Sequence, residues 1–228
     1  MRLTMKNITT FAISLFLLFQ LTISAQDFDN LANAVYEKDI NKINELLDTG
    51  ADINATPEDY PSSVIFIACS YTGYEEVVST LIKRGADVNF IGNDGKTPLI
   101  LAAGNSLQTT QLLLDNGANV KAKGDDGMNA FIQATLGILS GKVTAEVLGL
   151  LKSKGANVNS SLAGKSASGW SALLFATVNG DIDLVEYLIL NGANVNHTSD
   201  EGQTALALAR QEKYEEIVRL LKKHGALD

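Results

Sequence analysis

One stretch of the chain is uncharged and dominated by apolar residues, and the rest is apolar in a repeating beat. Ile8 to Ile23 carries no charge and is rich in Phe, Leu and Ile. From residue 26 onward apolar residues come in short clusters at helical spacing, as in Leu184, Val185, Leu188 and Ile189. A Gly-Ala pair closes each cluster, at Gly50, Gly85, Gly117, Gly155, Gly192 and Gly225, with intervals of 35, 32, 38, 37 and 33 residues. After five of the six pairs comes Asp or Asn and then Ile or Val. A second phase runs through the same stretch as a six-residue block. Its third residue is apolar (Leu31, Ile65, Leu99, Phe131, Leu173, Leu206) and its sixth is always Ala (Ala34, Ala68, Ala102, Ala134, Ala176, Ala209). Two phases with six coincidences each predict a stack of about six similar helical units.

The clearest block, Thr97-Pro98-Leu99-Ile100-Leu101-Ala102, resembles the Thr-Pro-Leu-His-x-Ala signature of ankyrin repeats, with Ile100 in place of His. Ser63 to Ala68, Asn129 to Ala134, Ser171 to Ala176 and Thr204 to Ala209 are weaker copies, and a degenerate first copy runs from Asp29 to Ala34. The resemblance covers essentially residues 26–228. It implies an all-α ankyrin-repeat solenoid of helix-turn-helix units joined by β-hairpin-like turns. The units fall at about 26–58, 59–92, 93–124, 125–166, 167–199 and 200–228. In each, the Thr or Ser opens a short first helix, and the Ala sits where the two antiparallel helices come closest. A second helix follows, and the glycine ends it in a left-handed conformation. No unit can bury its apolar face alone, so stacking supplies the stability. Polar residues around Lys38-Asp39, and Gln211 to His224 at the other end, mark solvated caps.

The apolar stretch near the start has a different reading. Arg2 and Lys6 precede it, and Ser24-Ala25 offers small residues for cleavage, which is the pattern of a secretory signal peptide. A run of about 16 residues is short for a spanning helix, which needs ~20. Residues 1–25 are therefore expected to be removed, leaving an exported chain, periplasmic or secreted, with no membrane contact after cleavage.

Two units depart from the beat. Unit four takes 21 residues from Ala134 to Gly155, where the others take 15 to 17. The surplus lies within Leu136 to Val143. It is either a first helix lengthened by a turn or an apolar partner contact. The join from Gly155 to Ser171 spans 16 residues where three others span 12, and its Ser/Gly/Ala-rich Ser160–Ser168 segment is expected to be mobile. Unit three carries Thr109 and Thr110 where aliphatics are usual, which predicts a softer centre.

Charge and composition narrow the chemistry. The net charge is −8, and residues beyond the leader hold 26 acids against 16 bases, which argues against nucleic acid as a partner. One cysteine, Cys69, allows no internal disulfide and is expected to be a buried, inert thiol. With two histidines besides, no common Cys/His zinc site can be built. Gly92 to Thr97 lacks the first glycine of a phosphate loop, and Gly169 to Leu173 lacks the second glycine of a nucleophile elbow. Asp181 and Asp183 straddle a helix start, where capping explains them. No cofactor, no metal and no enzyme activity are expected.

What remains is a surface. In the ankyrin family partners usually dock on the concave face, formed by hairpin tips and the outer side of the first helices. Carried onto this chain position by position, that face holds Tyr36, Tyr60, Tyr71, Asp94, Lys96, Asp125, Asp126, Met128, Trp170, Asn179, Asp200, Glu201 and Gln203. Its aromatic and Met residues are of the kind enriched at interface hot spots, and its carboxylates suit a protein partner with a basic patch. Met128, Trp170 and Gln203 share one register position, one residue before the helix cap. They are expected to form a row along the groove, with Trp170 having no unit core to enter; the alternative is that Trp170 folds back onto the long Ser160–Ser168 hairpin as a local plug. The reading is a monomeric, non-catalytic interaction module that binds and modulates or protects a protein. Neutralising a toxin or enzyme is the alternative, and a small-molecule binder or a host-directed effector fits less well, because thin stacked units offer a shallow groove rather than a deep pocket.

Overall fold

The structure, a computed structural model, describes residues 26–57, 62–164 and 168–227. The leader and Tyr60 lie outside these residues. The described residues form twelve helices in six antiparallel pairs. They are α1 (26–36), α2 (Ile40–Asp48), α3 (Val64–Cys69), α4 (Glu75–Lys83), α5 (Pro98–Ala103), α6 (Leu107–Asp115), α7 (Ala130–Leu139), α8 (Glu146–Ser153), α9 (Ala172–Val178), α10 (Ile182–Leu190), α11 (Ala205–Gln211) and α12 (Glu215–Lys223). First helices stack in a row, α3 on α5, α5 on α7, α7 on α9 and α9 on α11, and second helices stack behind them.

The two sequence phases explain the core. All six block alanines and all six apolar third positions are buried, and the core runs from Phe28 to Leu221. Each Gly of the closing pairs has φ between 87° and 104°, the left-handed region that glycine occupies at least cost. At the end of α10 the Gly192 N–H donates to the Ile189 carbonyl (3.0 Å) and the Ala193 N–H to Leu188 (2.9 Å). These bonds satisfy carbonyls that the helix leaves orphaned. At the helix starts Ser63, Asn129 and Thr204 accept from N–H groups of the first turn, and Asp181 accepts from Leu184 N–H at 2.9 Å. Thr97 and Ser171 stand at the same position without a side-chain cap bond.

Units are also tied to each other outside the core. An Asn in the arm after a second helix donates its Nδ2 to the closing glycine of the next unit. It also accepts an N–H two residues beyond that glycine through Oδ1. Asn54 bridges Gly85 (3.2 Å) and Asp87 (2.8 Å), and Asn89 bridges Gly117 (3.0 Å) and Asn119 (2.8 Å). Asn159 bridges Gly192 and Asn194, and Asn196 bridges Gly225 and Leu227. Lys121 stands at the corresponding position of unit three.

The departures have physical outcomes. The surplus of unit four lengthens a helix: α7 has 10 residues where α3, α5, α9 and α11 have 6 or 7. Ile138 and Leu139 are partly buried and pack against the core, as a lengthened helix implies. α7 also approaches α5 closely enough that a Cβ at Gly137 would meet the Gly104 carbonyl oxygen at 2.6 Å, which bars any other residue there without a backbone shift. In the long join, residues 165–167 of the segment expected to be mobile lie outside the described residues, and its described part is hydrogen-bonded. Leu162 N–H donates to Trp170 O (3.0 Å), Gly169 N–H to Leu162 O (2.9 Å) and Ala163 N–H to Asp126 O (2.7 Å). In unit three, Thr109 and Thr110 are buried, and the Thr110 hydroxyl donates to the Ser106 carbonyl at 2.8 Å. Cys69 is buried, and that burial pushes its thiol pKa up, as an inert thiol requires.

Candidate partner-binding face

The hairpin tips are built alike. In each, one N–H reaches the carbonyl four residues on, or eight across the long join: Gly92 to Lys96 (2.9 Å), Gly124 to Met128 (2.8 Å), Leu162 to Trp170 (3.0 Å) and Ser199 to Gln203 (2.9 Å). A glycine with positive φ completes the turn, and at Gly169 it is needed twice, since a Cβ there would also meet the Asp200 nitrogen at 2.6 Å. Successive tips are linked by backbone bonds. Asp125 N–H donates to Asp94 O (2.9 Å), Ala163 N–H to Asp126 O (2.7 Å) and Asp200 N–H to Ser168 O (3.2 Å). This chain of bonds brings Asp94, Asp125, Asp126, Asp200 and Glu201 onto one edge.

Within that edge Lys96 lies 2.6 Å from the Asp94 carboxylate and 4.0 Å from Asp126. Partial burial of Asp94 opposes its ionisation. Hydrogen bonds from the Lys96 side chain and backbone, with its charge, outweigh that and hold the carboxyl below its usual range. Asp126 Oδ1 accepts from Met128 N–H at 2.8 Å, and Asp200 accepts from the Ser168 hydroxyl. A shallow cavity of about 350 Å³ lies beside Asp94 and Lys96, lined also by Phe66, Ser70, Asn93 and Leu101.

Aromatics gather at the N-terminal end. Tyr36 and Tyr71 are each 46 % exposed and meet edge-on at 6.1 Å. Tyr71 in turn lies 5.4 Å from Tyr74, whose hydroxyl donates to the Tyr36 carbonyl (3.0 Å) and whose ring carries the Lys38 ammonium at 4.3 Å. The repeat register does not single out Tyr74. Its position after Gly73, in the turn between α3 and α4, is the available signal.

The expected Met128–Trp170–Gln203 row is a correction. Met128 is buried in a small cluster with Ile100 and Ile132, flanked by Leu136, Leu162 and Phe175. Trp170 is half-buried, packed on the core and 5.1 Å from the Phe175 ring. The expectation that its side chain has no core to enter fails because Phe175, on the next first helix, supplies one. Gln203 is half-buried too, and its Oε1 has no hydrogen-bond partner among the described residues. Asn179 is exposed at the end of α9, its Nδ2 donating to the Phe175 carbonyl at 2.9 Å.

Comparison with known proteins agrees with this architecture. Residues 31–124 and 136–227 match a family model described as ankyrin repeats, in three copies. The chain is 30% identical over 168 residues to an ankyrin repeat protein of Fowlpox virus (strain NVSL), covering 70% of this chain and 47% of that protein. It is 29% identical over 198 residues to an ankyrin repeat protein of Escherichia coli (strain K12), covering 85% of this chain and 94% of that one. A transient receptor potential cation channel subfamily A member 1 homolog of Caenorhabditis elegans is 25% identical over 202 residues, with only 16% of its length matched. The chain thus spans about half of the viral relative and a small part of the channel.

Proposed function

Since the chain belongs to the ankyrin repeat family, whose repeats are protein-interaction modules, we propose that it is a non-catalytic, exported binding protein that holds a protein partner on its concave face. The partner carries a basic patch. The edge of linked tips, with Asp94, Asp125, Asp126, Asp200 and Glu201, attracts it, and Tyr36, Tyr60 and Tyr71 anchor it. The observation that carries this reading is the exposed Tyr36–Tyr71 pair, meeting edge-on, on a face whose tips are rich in acids. Exposed aromatics of this kind supply contact area at low entropic cost and dominate interface energetics. The fixed acids raise the rate of encounter with a cationic partner and make it salt-sensitive.

The test is capture from the exported fraction, comparing the natural chain with Tyr36→Ala/Tyr71→Ala. The expected result is a basic protein retained by the natural chain, lost with the double variant and released by salt. Retention of the same protein by the double variant would overturn the anchor, and retention unaffected by salt would overturn the charge argument. Export is checked by mass: the exported chain should begin at Gln26.

A further inference from the structure

Five joints connect the six units, and four of them carry the same amide bridge. At the joint between units three and four the bridging Asn is replaced by Lys121. Two groups that the amide holds elsewhere, the closing-glycine carbonyl (Gly155) and the N–H two residues on (Asn157), have no side-chain partner there among the described residues. A cavity of about 220 Å³ opens at this gap, lined by Lys121, Lys123, Asn129, Gly155, Asn157 and Ser160, with Val120 and Ala156 as apolar walls.

The cavity's polar groups point to one kind of ligand. Asn129 is only 5 % exposed. Its Oδ1 accepts from both Phe131 N–H (2.9 Å) and Ile132 N–H (3.1 Å), which fixes the amide's orientation and leaves Nδ2 as a donor. That Nδ2 is buried and has no partner among the described residues. Neither Lys121 nor Lys123 is paired with a described carboxylate. No acidic side chain lines the cavity, although the chain as a whole is acid-rich. The unfilled side-chain groups here include the Asn129 Nδ2 donor, the two lysine ammonium groups and the Ser160 hydroxyl, which can donate or accept.

We propose that this gap is a binding site for a carboxylate. A carboxylate is planar like the side-chain amide at the other four joints but supplies only that amide's acceptor half, so the Gly155 carbonyl takes no bond from it. One of its oxygens takes the role of the missing Asn Oδ1 and accepts from Asn157 N–H. The other accepts from Asn129 Nδ2, and the two lysines supply the opposite charge. The carboxylate has two sources, a free small organic acid or the side chain of a Glu in a peptide. This site is separate from the concave edge of acids and does not depend on the partner proposed for that edge.

The test is an amide-resolved NMR titration of the full chain with glutarate, with the peptide acetyl-Gly-Glu-Gly-amide, and with the neutral isostere glutaramide. Saturable shifts are expected at Asn157 N–H and the Asn129 side-chain NH2, with glutaramide at least tenfold weaker, a difference of about 1.4 kcal/mol. Tighter binding of the peptide than of glutarate identifies a peptide side chain as the source, and the reverse identifies a free acid. Lys121→Asn should rebuild the bridge and abolish the shifts. Asn129→Asp keeps the helix-capping oxygen, replaces the donor with an acceptor, and should weaken binding at least tenfold. If Lys121→Asn does not fold, Asn129→Asp alone decides. The proposal fails if neither acid gives saturable shifts at these two groups, if glutaramide binds as well as glutarate, or if the foldable variants bind unchanged.

Discussion

Tyr71 and Trp170 share one face by register, yet the molecule treats them oppositely. At the N-terminal end Tyr36 and Tyr71 remain nearly half exposed, and among the described residues the ring of Tyr71 pairs with the rings of Tyr36 and Tyr74. In units four and five Met128 is buried and Trp170 lies against Phe175 and the core. The difference comes from neighbours. The long join folds Leu162 back over Met128, and α9 places Phe175 against Trp170 of its own unit and beside Met128 of the preceding one. Around Tyr71 the ring partners among the described residues are two further tyrosines, Tyr36 and Tyr74, which leave it nearly half exposed. A large side chain on this face is therefore open to a partner only where the side chains around it leave it exposed, and this chain contains an exposed and a covered example.

The repeat register underlies this contrast, so the register is the first thing to break. Ala176 is fully buried at the block's sixth position. Ala176→Leu should cost about 3 kcal/mol by overpacking, read by chemical denaturation. A loss below about 0.5 kcal/mol, the scale of a surface change, would mean that the helix pairing is wrong. Next in size is Trp170→Ala. Removing a half-buried indole should cost about 2 kcal/mol, below the roughly 3–5 typical of fully buried aromatics. Lys121→Asn has the opposite sign. Completing the fifth amide bridge should raise stability by about 1 kcal/mol, the net worth of a typical hydrogen bond or two, and thermal melting would show it.

The smallest effect concerns charge. Asp94 has a carboxyl held below its usual value while folded. Its contribution to stability is therefore present above the unfolded value of about 3.9 and disappears as pH falls through the lower folded one. Exposure of the pair limits the contribution to about a few tenths of a kcal/mol. Asp94→Asn should be slightly less stable than the natural chain at neutral pH, with the difference vanishing on acidification. A gap that persists unchanged in acid would assign the effect to something other than the Lys96 pair.

The parts of this structure that depend on local repetition are legible in the sequence. Ala34 to Ala209 at the block's sixth position, and Gly50 to Gly225 at the helix ends, behave alike because each has one local role. The alanines allow close packing, and the glycines make a left-handed turn. The acids at the tips are legible for the same reason, since a tight turn leaves them outside. The fates of Met128 and Trp170 are not legible. They depend on Leu162 and Phe175, which lie 34 and 5 residues away along the chain and are irregular members of their units. Tyr74 escapes a reading by register because its partners Tyr36 and Lys38 belong to the preceding unit. The amide bridges are visible as Asn in the arms, but only their geometry makes Lys121 stand out.

The central claim is that exposure, set by the side chains packed around each ring, separates the aromatics proposed to bind from the structural ones on a single face. Its most direct test is paired thermal unfolding of Tyr71→Ala and Trp170→Ala. Tyr71→Ala should melt close to the natural chain, within about 0.5 kcal/mol, and Trp170→Ala should melt clearly lower. Equal melting of the two variants, or a larger loss for Tyr71→Ala, would contradict it.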